Sequence, residues 1–230
     1  MKILYETKNL IVVVKPAGVL SEESGNKQSV PLLLRRMFLE KGAKDPRFFT
    51  VHRLDRDVGG VMVLAKNSPT AGELSAKIAA RQAEKEYFAV VKGLPPEEGV
   101  LEDLLFRDSK SGKTYVVDRM RTGVKEARLS FVRLGIGEIS GEPCALVRVR
   151  LYTGRTHQIR VQFASRGFPL VGDRRYGSQD KENFPALFSA SAARYSALLC
   201  LIMLIIMPGK ALVKRRRCGL RHPGSSERRP

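Results

Sequence analysis

The stretch Ala145-Leu146-Val147-Arg148-Val149-Arg150-Leu151-Tyr152 alternates Val147, Val149 and Leu151 with Arg148, Arg150 and Tyr152. A period of two places the first set on one face of a strand and the second on the other, as in an antiparallel sheet with one face on a core. Upstream, Ala127 to Leu134 reads as a partner strand across a Gly-rich turn, Gly135 to Gly141. Glu86 to Val91 is a further strand, closed by Gly93-Leu94-Pro95-Pro96. The apolar runs Val61 to Ala65 and Leu10 to Val14 read as buried strands, the second feeding a turn at Lys15-Pro16-Ala17-Gly18. Pro31 to Lys41 carries Leu33, Leu34, Met37 and Phe38 at helical spacing. Ser68-Pro69 supplies an N-cap and a first-turn Pro for a helix ending near Arg81. Downstream, Thr156 can cap a short helix with Ile159 and Phe163 on one face, and Gly167 can end it in the left-handed conformation. Arg107 to Lys125 shows little periodicity and reads as loop and hairpin. Strands outnumber helices and do not alternate with them. The fold class is therefore α+β, with a central mixed, mostly antiparallel sheet flanked by helices and loops.

The 230 residues, 43% of them apolar, can build a substantial core without covalent staples. Lys+Arg 41 against Asp+Glu 23 gives a formal charge of +18, which favours a polyanionic partner. Residues 191 to 230 carry +8 of this, and residues 1 to 190 are basic on their own at +10. Cys144, Cys200 and Cys218 form no zinc-type spacing and fit reduced thiols in a cytoplasmic protein. The N-terminus is too polar for a secretory signal. The apolar run Ala197 to Met207, 11 residues long, is shorter than the roughly 18 needed to span a bilayer, so no membrane association is expected. G-x-G-x-x-G, G-x-x-x-x-G-K-[ST] and H-E-x-x-H are absent, so neither a cofactor nor a metal is expected.

Two segments concentrate chemistry. Val51-His52-Arg53-Leu54-Asp55-Arg56-Asp57 places a carboxylate at the mouth of the strand Val61 to Ala65. Taken alone, Asp55 reads more simply as a loop acid paired with Arg53 or Arg56. Tyr152-Thr153-Gly154-Arg155-Thr156-His157-Gln158-Ile159-Arg160 sits where a Gly turn enters a helix, and Arg155 there could meet a phosphate or a carboxylate. Its simpler reading is a helix-start Arg in solvent. Neither segment decides the function by itself.

Together, however, His52-Arg53-Leu54-Asp55, Lys85-Glu86-Tyr87-Phe88-Ala89-Val90-Val91-Lys92-Gly93 and Gly154-Arg155-Thr156-His157-Gln158-Ile159-Arg160 resemble, in order and spacing, the three main motifs of the RluA-type RNA pseudouridine synthases. Lys15-Pro16-Ala17-Gly18 resembles the family's K-P-x-G turn, and Gly172-Asp173-Arg174-Arg175-Tyr176-Gly177 its G-D-x-x-Y-G. The resemblance covers about residues 1 to 190. It implies isomerisation of uridine in ribosomal or transfer RNA to pseudouridine: the N1–C1′ bond breaks, the base turns, and C5 bonds to C1′. It assigns Asp55 as the essential aspartate, acting as nucleophile on the sugar or as base at C2′. It assigns Arg155 as the arginine paired with Asp55, where a cation would hold the carboxylate ionised, and Tyr87 as the residue that stacks on the base and is a candidate acceptor of the C5 proton. Arg53 is implied to fill the gap left by the extruded uridine. His52, Arg56, His157 and Arg160 complete the expected RNA-contacting set. Asp57-Val58-Gly59-Gly60 stands where many relatives carry Thr-Ser-Gly.

The expectation is a monomeric, cytoplasmic, RNA-binding isomerase with its catalytic domain at residues 1 to 190. Many relatives carry an S4-like module before that domain. Here the motifs begin at residue 3, so RNA recognition is expected from the domain's own basic cleft, with specificity in Arg107 to Lys125. The alternatives are a catalytically impaired or noncatalytic RNA-binding protein of the same fold and, more remotely, a glycoside hydrolase using Asp55 and Asp57. After Phe184-Pro185-Ala186-Leu187-Phe188-Ser189 the chain departs from the family's pattern. Residues 191 to 230 read as an atypical basic tail, either an RNA-contacting extension or the product of a lost reading frame, and the latter predicts poor packing and weakened activity.

Overall fold

A computed structural model describes residues 1–80, 82–177 and 186–189. The expected packing of residues 191 to 230 lies outside these residues, as does Arg81. Among the described residues ten strands form one sheet: β1 (Lys2–Glu6), β2 (Leu10–Lys15), β3 (Phe49–Thr50), β4 (Gly59–Ala65), β5 (Lys85–Lys92), β6 (Glu98–Asp108), β7 (Lys113–Val117), β8 (Val124–Ile139), β9 (Glu142–Leu151) and β10 (Leu187–Ser189). Their order across the sheet is β1-β2-β4-β10-β5-β9-β8-β6-β7, with β3 paired to β4 off this path. Every strand pairing is antiparallel except β10 with β4. The α-helices among the described residues, α1 (Val30–Glu40), α2 (Ser68–Ala79) and α3 (Gln158–Ala164), give the fold its α+β class.

The alternation over Ala145 to Tyr152 is realised in β9, where Val147 and Val149 are fully buried and Arg148 and Arg150 exposed. Their core face meets Ile11, Val13, Met62, Leu64, Ala89, Val91, Leu129 and Phe131 from neighbouring strands, and Leu34 of α1 with Ile159 and Phe163 of α3 close over it. Phe131 and Phe163 meet edge to face, with ring centroids 5.1 Å apart.

Several local readings change. The turn expected over Gly135 to Gly141 is mostly strand. The reversal occupies only Ser140 and Gly141, both with positive φ (53° and 83°), and tightens into a two-residue hairpin because successive left-handed residues match the twist of the flanking strands. Asn67, not Ser68, caps α2, its side chain accepting from the Thr70 amide at 3.0 Å. β6 has no counterpart in the sequence reading. Its core-facing positions Leu101 and Leu105 flank Asp103, an acid that breaks the apolar pattern but is satisfied by Arg166 and Gln162. The segment Arg107 to Lys125 holds the hairpin expected there, made by the end of β6 and all of β7, and then runs through a loop into the start of β8. Gly167 does end the α3 region in the left-handed conformation, at φ 80°.

Candidate active site

Asp55 lies in the loop between β3 and β4, its side chain 26% exposed. That loop is pinned from below by Lys15, the last residue of β2, which is fully buried. Lys15 Nζ donates to the carbonyls of Pro16 (3.0 Å), Arg56 (2.9 Å) and Val58 (2.7 Å), so all three of its protons are used. Burial pulls its pKa down to about 8 against the opposing fields of Asp55 and Asp57, and it remains mostly charged at neutral pH. Arg56 closes the same turn: its Nε donates to the Gly18 carbonyl, and its own carbonyl accepts from the Gly18 amide. The K-P-A-G turn and the loop bearing Asp55 thus form one hydrogen-bonded unit.

The cation facing Asp55 is Arg160, not Arg155. Arg160 Nη1 stands 3.6 Å from Asp55 Oδ2, while Nε and Nη2 grip Asp173 at 2.7 and 2.8 Å in a bidentate fork. Burial works against this guanidinium's charge, but the Asp173 fork and the field of Asp55 outweigh it and hold its pKa above the ordinary value. Arg155 instead donates from Nε to the Glu126 carbonyl. The reason is conformational. His157 adopts a left-handed backbone (φ 55°) as the N-cap of α3, which reverses the chain, leaving Arg155 on the turn and carrying Arg160 into the buried interior. Thr156 makes no cap. Gln158 braces the turn in its place, accepting from the Arg155 amide at 3.0 Å and the Thr153 hydroxyl at 2.9 Å.

Tyr87 enters from β5 beside Ser189 of β10, to which its hydroxyl is hydrogen-bonded. Burial and the charge of Asp55 push its pKa up to about 12, so the phenol is neutral at physiological pH. His157 Nε2 lies 3.9 Å from Asp55 Oδ2, and its Nδ1 lies 2.8 Å from the Tyr176 hydroxyl. The structure therefore brings Asp55, Arg160, His157 and Tyr87 to one end of the sheet.

The remaining expected residues divide. Arg53 is exposed and paired with Glu22 at 2.9 Å, at the rim. His52 is occupied otherwise: Nε2 accepts from the Val63 amide at 3.0 Å, extending with a side chain the ladder that β3 makes on β4. Burial, aided by Lys85, lowers its pKa to about 4, so it is a neutral scaffold group and not a cation for phosphate. Asp173, Lys15 and Tyr176 lie inside the Lys15-Pro16-Ala17-Gly18 and Gly172 to Gly177 motifs, which by themselves assign them no role. Their signal was a charged or polar residue fixed inside a Gly-bounded turn, which spacing alone cannot distinguish from a solvent-facing one.

The chain is similar to known proteins across most of its length. A family model described as RNA pseudouridylate synthase matches residues 9–165. A protein of Aquifex aeolicus named uncharacterized RNA pseudouridine synthase is 35% identical over 186 residues, 77% of this chain and 56% of the relative. Ribosomal large subunit pseudouridine synthase D of Pseudomonas aeruginosa is 35% identical over 182 residues, covering 78% and 54%. The chain thus spans little more than half the length of these relatives. Among solved structures, human RNA pseudouridylate synthase domain containing 1 superposes with a TM-score of 0.70 at 26% identity, covering 82% of this chain and 76% of that one. Human RNA pseudouridylate synthase domain containing 4 gives 0.62 at 28% identity, covering 78% and 70%. With the family model spanning well over half of the chain and the fold shared, the chain belongs to the RNA pseudouridylate synthase family.

Proposed function

We propose that this chain isomerises uridine in RNA to pseudouridine, with Asp55 as the residue that acts on the sugar, Arg160 as its cationic partner and Tyr87 as the platform for the base. The observation that carries the reading is the partly open Asp55 carboxylate, set against a buried Arg160 that is itself anchored on Asp173. Among the described residues, Arg160 and His157 stand 3.6 and 3.9 Å from Oδ2 of Asp55, and Oδ1 is assigned to the substrate. The reaction breaks N1–C1′ and forms C5–C1′, with the C5 proton lost and a proton gained at N1, so nothing is consumed. Tyr87, a neutral phenol at physiological pH, is assigned to stack on the base and is the candidate acceptor of the C5 proton. Arg155 and Arg53, on the turn and the rim, are assigned to RNA contact, as is Arg56.

Relatives named for the ribosomal large subunit make its RNA the first substrate to test, with transfer RNA as the second. The protein is proposed to act as a cytoplasmic monomer; among the described residues no helix is long and apolar enough to cross a membrane. The test is a carbodiimide map of pseudouridine in unmodified RNA transcripts incubated with the protein. New pseudouridine is expected with the wild-type chain and none with Asp55→Asn, whose RNA affinity should stay within roughly tenfold. Turnover by Asp55→Asn would sink the assignment, and RNA binding without product from the wild type would leave a noncatalytic binder.

A further inference from the structure

Tyr176 closes the short 3₁₀ turn Arg174–Tyr176 and is 8% exposed. Its hydroxyl joins three parts of the molecule. It accepts from the backbone amide of Thr114 in β7 at 2.9 Å, and it lies 2.8 Å from Nδ1 of His157 at the start of α3. The ring stands edge to face against the His157 imidazole, and the Arg160 guanidinium lies over it, 5.2 Å from the centroid. Thr114 reinforces the same junction, donating its own hydroxyl to the Thr156 carbonyl at 3.0 Å.

The phenol already accepts from the Thr114 amide, and with Thr114 Oγ1 turned to the Thr156 carbonyl, His157 Nδ1 at 2.8 Å is the group placed to take the phenol's own proton. An imidazole that accepts at Nδ1 carries its proton on Nε2, the nitrogen 3.9 Å from Asp55 Oδ2. The opposite arrangement would turn an Nε2 lone pair toward a carboxylate. We infer that Tyr176 is a positioning residue: its hydroxyl sets the tautomer of His157 so that an N–H faces Oδ2 of Asp55, while its ring braces Arg160 against the same oxygen. The left-handed backbone of His157, unusual for a residue with a Cβ, holds the ring where both contacts are possible. Because Thr114 sits on β7, the hairpin β6–β7 and the carboxylate are tied through one hydroxyl.

The inference rests on the proposed uridine chemistry only for its kinetic consequence, and its two readouts separate the cases. The first is the ¹⁵N-detected titration of His157 in the full chain, assigned by loss of its signal in His157→Gln. Asp55, Arg160, Asp173 and Arg175 are the charged groups that act on this imidazole, and Tyr176→Phe removes none of them. If the hydroxyl donates to Nδ1, it stabilises the neutral ring, so Tyr176→Phe raises the midpoint. If Nδ1–H donates to the hydroxyl, the bond favours the charged ring, and the midpoint falls. A rise supports the inference; a fall or no change overturns it. This readout holds whether or not the chain makes pseudouridine, so an inactive wild type would sink the functional reading alone. The second readout is kinetic. Tyr176→Phe keeps the ring under Arg160 and is expected to lower kcat about tenfold, with KM for RNA within about twofold. An unchanged kcat in an active enzyme would overturn the positioning role, as would a loss carried wholly by KM.

Discussion

At the scale of single residues, the two arginines of Gly154-Arg155-Thr156-His157-Gln158-Ile159-Arg160 differ in what surrounds them, and variants should separate them. Arg160→Ala leaves the buried Asp173 without its fork and is expected to cost about 3–5 kcal/mol of stability. Arg160→Lys keeps a charge but cannot fork, and kcat should fall about 100-fold. Arg155→Ala removes one partly exposed bond to a carbonyl, and stability should change by about 1 kcal/mol or less. Urea denaturation and single-turnover kinetics check the contrast; equal effects at the two positions would contradict it. His52 makes a second prediction. Its folded pKa of about 4 lies below the ordinary 6.5, so between these values the unfolded chain binds the proton and the folded chain does not. Its contribution is therefore complete above pH 6.5 and is lost as pH falls toward 4, by up to about 3 kcal/mol. His52→Gln should flatten that acid limb in denaturation curves measured across the window. Asp55 was legible only through the motifs taken together, because its run of charge alone reads as a loop acid paired with a neighbouring arginine. The partner of Asp55 was not, because the motif holds two arginines and only the left-handed backbone at His157 decides which one turns inward.

At the scale of elements, the sheet depends on how close β10 comes to β4. Gly60 has a φ of 137°, and a Cβ there would lie 2.4 Å from the Ser189 nitrogen and 2.7 Å from its oxygen. Gly60→Ala must push β10 away, detaching β1-β2-β4 from the other half of the sheet and displacing Ser189 from Tyr87. A loss of about 3 kcal/mol or more is expected, together with loss of turnover. Gly59 is the control. The atoms nearest to a Cβ there are 3.5 to 3.8 Å away, so Gly59→Ser should be tolerated within about 1 kcal/mol. Thermal melts of the two variants side by side decide this. The long apolar strands β2, β4, β5 and β9 were legible from period and β-branching. β6 was not, because Asp103 occupies a core-facing place and finds its partners, Gln162 and Arg166, some sixty residues along the chain. No local pattern carries information about so distant a partner. β10, three residues long and inserted between strands distant in sequence, is legible only once the rest of the sheet exists to receive it.

At the scale of the whole molecule, charge governs how RNA arrives. Residues 1 to 190 carry a net +10, and many of their arginines are already engaged: Arg128 with Glu102, Arg133 with Glu97, Arg150 with Glu84 and Arg160 with Asp173. The loop between β7 and β8, residues 118–123, is exposed and carries Arg119 and Arg121. Arg155, itself assigned to RNA contact, reaches the carbonyl of Glu126 just beyond this loop. Binding through about four phosphates would give a slope near −3 in a plot of log K against log salt, and would weaken Kd about 50-fold between 50 and 200 mM salt. Arg119→Ser should reduce that slope by somewhat less than one while leaving the chosen uridine unchanged, since a phosphate contact fixes position without reading a base. Asp55→Asn should leave the slope as it is, because the carboxylate meets a sugar and releases no counterion. Fluorescence titrations of one RNA at several salt concentrations measure all three slopes. A salt-independent affinity would place RNA recognition outside the basic surface of this domain. A slope altered by Asp55→Asn would mean that the carboxylate tunes the field of the cleft as well as its chemistry.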